Sequence, residues 1–140
     1  AHVLCKLSRD AEGYMGRLRC VQEISAVTAA CMMVKTSVFK AVGGFDEELK
    51  VAFNDIDLCM KVRKYGVKIV FTPYAELYHY ESKSRGMEDT PEKQLRFSRE
   101  VNCFRRKWER ELLKGDPYYN PNLTLNNTDC SLRKQEKNGD

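Results

Sequence analysis

Apolar residues that alternate with polar ones, or that form short unbroken runs, predict three strands in this chain. Residues 24–34 are rich in small and β-favouring side chains and predict a buried strand. Residues 67–71 alternate and predict a second strand, and residues 75–81 divide between two faces as expected for a third. Strands separated by helical patterns are typical of the α/β class.

Apolar residues spaced three to four positions apart predict three helices. A short helix is expected over 36–42, followed by a glycine pair that can adopt the left-handed conformation cheaply. A second helix is expected from Asn54 or Asp55 to about Tyr65. Its inner face would carry Leu58, Cys59 and Val62, and Lys61 would face outward. A long third helix is expected over 91–114, with an apolar stripe at Phe97, Val101, Phe104, Trp108 and Leu112.

The composition is that of one folded domain whose ends differ from its middle. The chain has 140 residues, of which 42% are hydrophobic and 31% are charged. Residues 1–23 lack a clear period and predict an irregular segment, residues 24–125 carry the domain, and residues 126–140 predict a disordered tail. No apolar run approaches the ~20 residues that cross a bilayer, and we expect no secretory leader.

Charge and cysteine content exclude some classes of protein. The net charge of +4 is a mild basic excess, which suits an anionic ligand without demanding nucleic acid. The six cysteines form no C-x-x-C pair and only two histidines accompany them, which argues against a zinc finger. Most of the cysteines lie in apolar runs and are typical of core residues in a reducing compartment.

The acidic residues that open the second predicted helix are the main candidates for chemistry. A general base must be a carboxylate or imidazole held within hydrogen-bond distance of the proton it removes, and Asp55 can point from a helix start into a cleft. Asp55 could equally be the helix N-cap, with Asp57 in the first turn facing the helix dipole. Spacing alone favours the cap, because caps are far commoner than active sites.

Three further groups have both a chemical and a structural interpretation. His79 could bind a divalent ion, although one histidine is not a site and a hydrogen-bonded core histidine is commoner. Lys83 and Arg85 lie in a polar loop that could close over a diphosphate, or could simply be solvated. The basic residues over 96–110 could contact nucleic acid or an anionic membrane, but interleaved glutamates favour a salt-bridged solvent face.

Six sequence blocks in a fixed order carry a resemblance to a known family. They are residues 29–35 (AACMMVK), 39–47 (FKAVGGFDE), 54–59 (NDIDLC), 66–70 (GVKIV), 73–82 (PYAELYHYES) and 116–121 (DPYYNP). Together they resemble the C-terminal, acceptor-side half of a bacterial family 2 glycosyltransferase. The resemblance implies a partial GT-A fold, which is nucleotide-diphospho-sugar transferase-like, with a mixed sheet, flanking helices and a long C-terminal helix.

The resemblance also implies a reaction and a base. A sugar would move from a nucleotide-diphosphate donor to an acceptor hydroxyl of a cell-envelope glycan or glycolipid, with inversion at the anomeric carbon. Asp55 matches the family's catalytic base, and Asp57 is a second candidate. Asn54 stands where the family usually has glutamate, so one carboxylate fewer is present.

Further site residues follow from the same resemblance. His79 matches a histidine that approaches a divalent metal ion, Mn or Mg, and the donor diphosphate. Lys83 and Arg85 would lie in the loop that covers the diphosphate. Asp46 would shape the acceptor pocket or cap its own turn. The substrate-binding candidates are therefore Asp46, Asn54, Lys83 and Arg85.

The sequence before Ser25 has no room for a nucleotide-binding βαβ unit and no Asp-x-Asp metal motif. We therefore expect a fragment that is inactive alone, that lacks part of its metal coordination and that self-associates through a cut edge. We expect it in the cytoplasm, with peripheral association at the inner face of the membrane and no nucleic-acid partner. The alternatives are a non-catalytic carbohydrate-binding or interaction module and a basic nucleic-acid-binding domain.

Overall fold

The computed structural model describes residues 7–80, 90–127 and 129–133, so Lys83 and Arg85 lie outside the described residues. Helices account for most of the regular structure. They are α1 (Thr36–Ala41), α2 (Asn54–Lys64), α3 (Pro91–Lys107) and α4 (Glu109–Leu113). Strands β1 (Gln22–Glu23) and β2 (Val70–Phe71) pair, and 3-10 turns occupy Tyr14–Arg19 and Ala29–Cys31. Among the described helices none is both long and apolar enough to cross a membrane.

Helices α1 and α2 confirm the two shorter helices predicted from the sequence. A glycine pair follows α1, and both Gly43 and Gly44 have positive φ, at 78° and 64°. The predicted cap of α2 is wrong, because Phe53 is the N-cap and makes no side-chain cap bond. The predicted inner face of α2 is confirmed, since Leu58, Cys59 and Val62 are all buried.

The long C-terminal helix is present, but a break divides it. Thr90 caps α3 by accepting a hydrogen bond from Lys93 N at 3.4 Å, and Pro91 occupies the first turn. The backbone leaves helical geometry at Trp108, where φ is −114° and ψ is 19°. Trp108 is buried at this break, and its indole N–H donates a hydrogen bond to Asp57. The sequence pattern gave no sign of the break, because the apolar stripe continues unchanged through position 108.

The predicted sheet is where the structure differs most from the sequence expectation. Residues 24–34 form no strand and none is buried, because the Thr28 hydroxyl accepts from Ala30 N and starts a 3-10 turn. Strand β1 lies just before this segment and pairs antiparallel with β2, with Glu23 opposite Val70. Residues 75–80 are exposed and form no strand. Within the described residues the sheet is two-stranded and antiparallel, so the predicted mixed sheet is wrong while the α/β composition holds.

The main core lies between α3 and the loop that leads into α2. Its buried members are Leu49, Phe104 and Trp108. The Phe53 ring stacks on Phe104 with centroids 5.0 Å apart and contacts Phe97 at 6.0 Å. This aromatic packing fixes α3 against the residues that immediately precede Asp55 in sequence.

Part of the predicted tail packs back onto the domain. Leu132 forms an isolated antiparallel bridge with Leu123, and Thr124 N donates to Ser131 O at 2.8 Å. Cys130 is buried beside this bridge. The expectation of disorder from residue 126 is therefore wrong for residues 129–133, where backbone pairing replaces the missing apolar content.

The cysteines are only partly core residues. The five that the structure describes are all free thiols. Cys59 and Cys130 are buried, Cys103 is intermediate, and Cys20 and Cys31 are exposed. Burial raises the pKa of the Cys59 thiol, which favours its neutral form. The core interpretation therefore holds for two positions and fails for the exposed pair.

Candidate functional site

Residues 46–49, in the acidic segment before α2, form a tight turn that hydrogen bonds between its own residues stabilise. Asp46 Oδ1 accepts from Glu48 N at 3.0 Å, and the Asp46 carbonyl accepts from Leu49 N at 3.1 Å. Leu49 is 1% exposed and anchors the turn in the core. Of the two roles predicted for Asp46, the structure shows the turn cap.

Asp55 lies in the first turn of α2, half-buried, with its carboxylate fixed by backbone donors. Oδ1 accepts from Ile56 N at 2.8 Å, and Oδ2 accepts from Ala29 N at 3.2 Å. The amide of Asp55 is itself bonded to Asn54 Oδ1 at 2.8 Å. An ionised carboxylate offers about four acceptor positions, so two of them remain for a further partner.

Asp57, two residues after Asp55, differs from it in being fully buried. Its side chain is 0% exposed. Oδ1 accepts from Trp108 Nε1 at 2.8 Å and lies 2.8 Å from Lys107 Nζ, while Lys61 Nζ lies 3.2 Å from Oδ2. A buried carboxylate is tolerated only when it is paired and hydrogen-bonded in this way. In this arrangement Asp57 is an internal counter-ion, and no part of its side chain is exposed to solvent.

Two lysines complete this cluster, and one of them differs from expectation. Lys61 was expected to face outward, but its ammonium is mostly buried between Asp57 and the Gly44 carbonyl, to which it donates. Lys107 bridges Asp46 and Asp57. Burial alone would lower the pKa of Lys107, but its hydrogen bonds to the two carboxylates outweigh that effect and raise the pKa. The hydrogen bond from Lys107, together with the Glu48 amide, lowers the pKa of Asp46.

Glu100 of α3 is a second buried carboxylate that contacts the same loop. It is 3% exposed, and its Oε2 accepts from Ala52 N at 2.7 Å. Arg96 Nε lies 3.8 Å from the other oxygen. The sequence had assigned Glu100 to a solvent-facing salt-bridged surface, and that assignment is wrong for this residue.

His79 is the remaining predicted site residue that the structure describes, and none of the hydrogen bonds described above for Asp55 involves it. His79 lies in the exposed segment 72–80, where an ion pair of 2.7 Å joins Glu76 to Arg9. In the part of the chain that the structure describes, no group of three or more His, Cys, Asp or Glu side chains could hold a metal ion. The described residues therefore do not by themselves form the expected metal site.

Sequence reasoning missed Glu100, Lys107 and Trp108 as members of this site. The helical stripe identified Trp108 as apolar core, and Lys107 belonged to a basic cluster. Asp57 and Trp108 are 51 positions apart. The one available signal was that the chain's single tryptophan has an N–H that must find a partner when buried.

Comparison with known proteins finds similarity to a protein of O-antigen biosynthesis, to a rhamnosyltransferase and to an uncharacterised protein. It is 39% identical, over 82% of its length, to the O-antigen biosynthesis protein RfbC of Myxococcus xanthus. It is 36% identical, over 44% of its length, to an N-acetylglucosaminyl-diphospho-decaprenol L-rhamnosyltransferase of Mycobacterium tuberculosis. It is 58% identical, over 86% of its length, to the uncharacterised protein y4gI of Sinorhizobium fredii.

The coverage of these relatives limits what the similarity establishes. The chain spans 13% of y4gI, 9% of RfbC and 20% of the rhamnosyltransferase. No family model and no solved structure matches it. The names of two relatives support the glycosyltransferase resemblance that the sequence blocks predicted.

Proposed function

We propose that this chain is the catalytic, acceptor-side part of an inverting glycosyltransferase of GT-A fold and family 2. Its acceptor would be a hydroxyl of a cell-envelope glycan or glycolipid, which is consistent with the names of its relatives. The observation that carries the proposal is Asp55, a half-buried carboxylate oriented by two backbone N–H groups with acceptor capacity left over. A base fixed in this way pays little orientation entropy when the acceptor binds.

The proposed reaction is a single displacement. The acceptor hydroxyl oxygen attacks the anomeric carbon, the bond from that carbon to the diphosphate oxygen breaks, and the nucleoside diphosphate leaves with the electron pair. Asp55 takes the hydroxyl proton as the new bond forms, because an alcohol has a pKa far above 7 and is a poor nucleophile while protonated. Ala29 N and Ile56 N hold the carboxylate in place while it does so.

The neighbouring acidic residues have supporting roles in this proposal. Asp57 holds the first turn of α2 from inside the protein, since its carboxylate is sealed by Trp108 and Lys107. Asn54 supports the amide of Asp55. Asp46 shapes the turn before the helix. Of the two catalytic candidates from the sequence, Asp55 is the one we propose as the base.

The donor side of the reaction is proposed on the resemblance alone. The donor would be a nucleotide-sugar, and Lys83 and Arg85 would approach its diphosphate. A divalent ion, Mn or Mg, would neutralise charge on the departing diphosphate when bound, with His79 as a ligand. Its other ligands would come from outside the described residues, because these contain no metal-binding cluster. We propose a location in the cytoplasm, at the inner face of the membrane.

Product analysis tests this function. The complete protein that carries this chain is incubated with nucleotide-sugars, including a rhamnosyl donor, and a lipid-linked glycan acceptor. We expect acceptor-dependent release of nucleoside diphosphate and a product whose anomeric configuration is opposite to that of the donor. Acceptor binding without any transfer, with every donor tried, would instead indicate the non-catalytic carbohydrate-binding module. Retention of configuration would contradict the single displacement.

A further inference from the structure

The residue that leads into α2 has an unusual backbone conformation. Phe53 has φ 64° and ψ 4°, which is the left-handed region that aromatic residues rarely adopt. Such a conformation costs about 1–3 kcal/mol and persists only where the surroundings over-determine it. Phe53 lies two positions before Asp55, and its carbonyl accepts from Asp57 N at 2.8 Å. The direction in which the chain enters α2 therefore depends on whatever holds Phe53.

Helix α3 contacts the residues just before α2, at positions 52 and 53. The ring of Phe104 stacks on that of Phe53, with centroids 5.0 Å apart and planes 21° from parallel. One turn earlier, Glu100 accepts the amide of Ala52 at 2.7 Å. The Glu100 carboxylate is buried and the Ala52 amide is partly buried, so each would carry a desolvation penalty without the other. The two contacts together fix both the ring and the backbone of the strained segment.

The last residue of α3 and Trp108, which directly follows it, also hold the first turn of α2 at its downstream side. The Trp108 indole N–H and the Lys107 ammonium both meet Asp57 Oδ1 at 2.8 Å. Asp57 is two residues after Asp55, so the pair of contacts fixes the turn that carries the Asp55 carboxylate. Asp55 is thus bracketed by contacts from α3 and from Trp108 at its end, although none of these contacts touches Asp55 itself.

We propose that Glu100 and Trp108 are positioning residues for the Asp55 base. This proposal rests on the function proposed above for Asp55. Together they hold the loop and the first turn of α2 so that Asp55 Oδ2 stays on Ala29 N, 3.2 Å away. Release of either contact lets Phe53 relax to negative φ and turns the Asp55 carboxylate away. A misplacement of about 1 Å at a catalytic group costs about 10²-fold in rate.

Substitution of Trp108 gives the first test. Trp108→Phe keeps an aromatic ring but removes the N–H that meets Asp57. In the complete protein we expect kcat to fall about tenfold or more, while the KM for the donor stays within about twofold. Arg106→Gln, a change at an exposed position two residues before Trp108, is the matched control. A Trp108→Phe protein that is folded and retains its kcat would overturn the proposal.

The Ala29 amide gives a readout that does not depend on activity. Its proton chemical shift reports the hydrogen bond to Asp55, and Asp55→Ala defines the unbonded position. We expect Trp108→Phe to move the signal towards that position while the Thr124 amide, bonded to Ser131 O, stays unchanged. An unmoved Ala29 signal, or equal movement at both amides, would overturn the proposal. If Asp55→Asn left sugar transfer intact, the proposed function would fail, but this readout would still decide the positioning claim.

Glu100 supplies a second, independent pair of variants. Glu100→Gln keeps an oxygen that can accept the Ala52 amide, whereas Glu100→Leu has a similar volume and no acceptor. We expect Glu100→Gln to keep kcat within about threefold, and Glu100→Leu to lower it about tenfold or more with an unchanged donor KM. Equal activity of the two variants would contradict a positioning role, and the pair remains informative if Trp108→Phe does not fold.

Discussion

Asp55 and Asp57 lie two positions apart on one helical turn, yet their surroundings give them different chemistry. Asp55 is half-buried, and among the described residues its carboxylate accepts from two backbone amides, which leaves acceptor positions for a further partner. Asp57 has no exposed surface and is surrounded by Trp108, Lys107 and Lys61. Sequence spacing offers both residues as candidates for the base, and the difference in their burial is the reason we propose Asp55.

Removal of the Asp57 charge should destabilise the protein strongly. In Asp57→Ala, Lys107 and Lys61 lose their shared counter-ion and the Trp108 N–H loses its acceptor. Breaking a buried ion pair from one side costs about 3–5 kcal/mol. Urea unfolding of the chain measures the loss, and Asp10→Ala, at an exposed aspartate, is the control. A loss below about 1 kcal/mol would show that Asp57 is not an internal counter-ion.

Asp46 should contribute to the loss of folding stability at acid pH. The hydrogen bond from Lys107 lowers the pKa of Asp46 in the folded state, so at low pH the unfolded chain binds the extra proton first. Its contribution is present above the ordinary aspartate pKa of about 3.9 and is lost as the pH falls through the lower folded value. Asp46→Asn should flatten the pH dependence of the unfolding free energy below about pH 4. An unchanged pH dependence in this range would contradict the Asp46–Lys107 pair.

At the scale of elements, patterns within one segment were predictable and contacts between segments were not. Helices α1, α2 and α3 begin close to where apolar spacing and Pro91 predict. The prediction of a buried strand over 24–34 was wrong because Thr28 starts a turn through a local hydrogen bond. The apolar content of the segment favoured a strand and gave no indication of that bond. The break at Trp108 and the burial of Glu100 depend on partners about 50 positions away. No periodicity within α3 carries that information.

The two glycines after α1 should respond differently to substitution. Both have positive φ, so alanine at either position costs about 1–2 kcal/mol of backbone strain. A Cβ on Gly44 would also lie 3.1 Å from the Phe39 ring, whereas a Cβ on Gly43 meets open space. Thermal unfolding should therefore show a larger loss for Gly44→Ala than for Gly43→Ala. Equal losses of stability would mean that the Phe39 ring moves away from the new Cβ at no cost in free energy.

At the scale of the whole molecule, the chain carries a proposed base but no described metal cluster. It spans a fifth or less of each relative compared above, and we propose that donor binding needs residues outside the described ranges. The sequence blocks predict a glycosyltransferase resemblance, which the names of two relatives support, because the blocks combine several short motifs in a fixed order. They do not predict the contacts that Glu100, Lys107 and Trp108 make with residues 52 and 57 on either side of Asp55, because these contacts depend on tertiary packing. The predicted roles of His79, Lys83 and Arg85 stay predictions.

The isolated 140-residue chain should not transfer sugar. A base without a bound and activated donor has no leaving group to act on, and catalysis of this kind depends on positioning both partners. Incubation of the chain alone with nucleotide-sugar and acceptor should release no nucleoside diphosphate above the buffer control. Acceptor-dependent release by the chain alone would show that the donor site lies within these residues.

The most direct test of the central claim is the rate of sugar transfer by Asp55→Asn in the complete protein. The amide keeps the size and the acceptor oxygen that Ala29 N contacts, but it cannot take the hydroxyl proton. With Glu47→Gln, an exposed carboxylate in the same region, as the control, we predict that kcat falls about 10²–10⁴-fold and that the KM for the donor is little changed. An Asp55→Asn protein that transfers sugar at the control rate would contradict the assignment of Asp55 as the base.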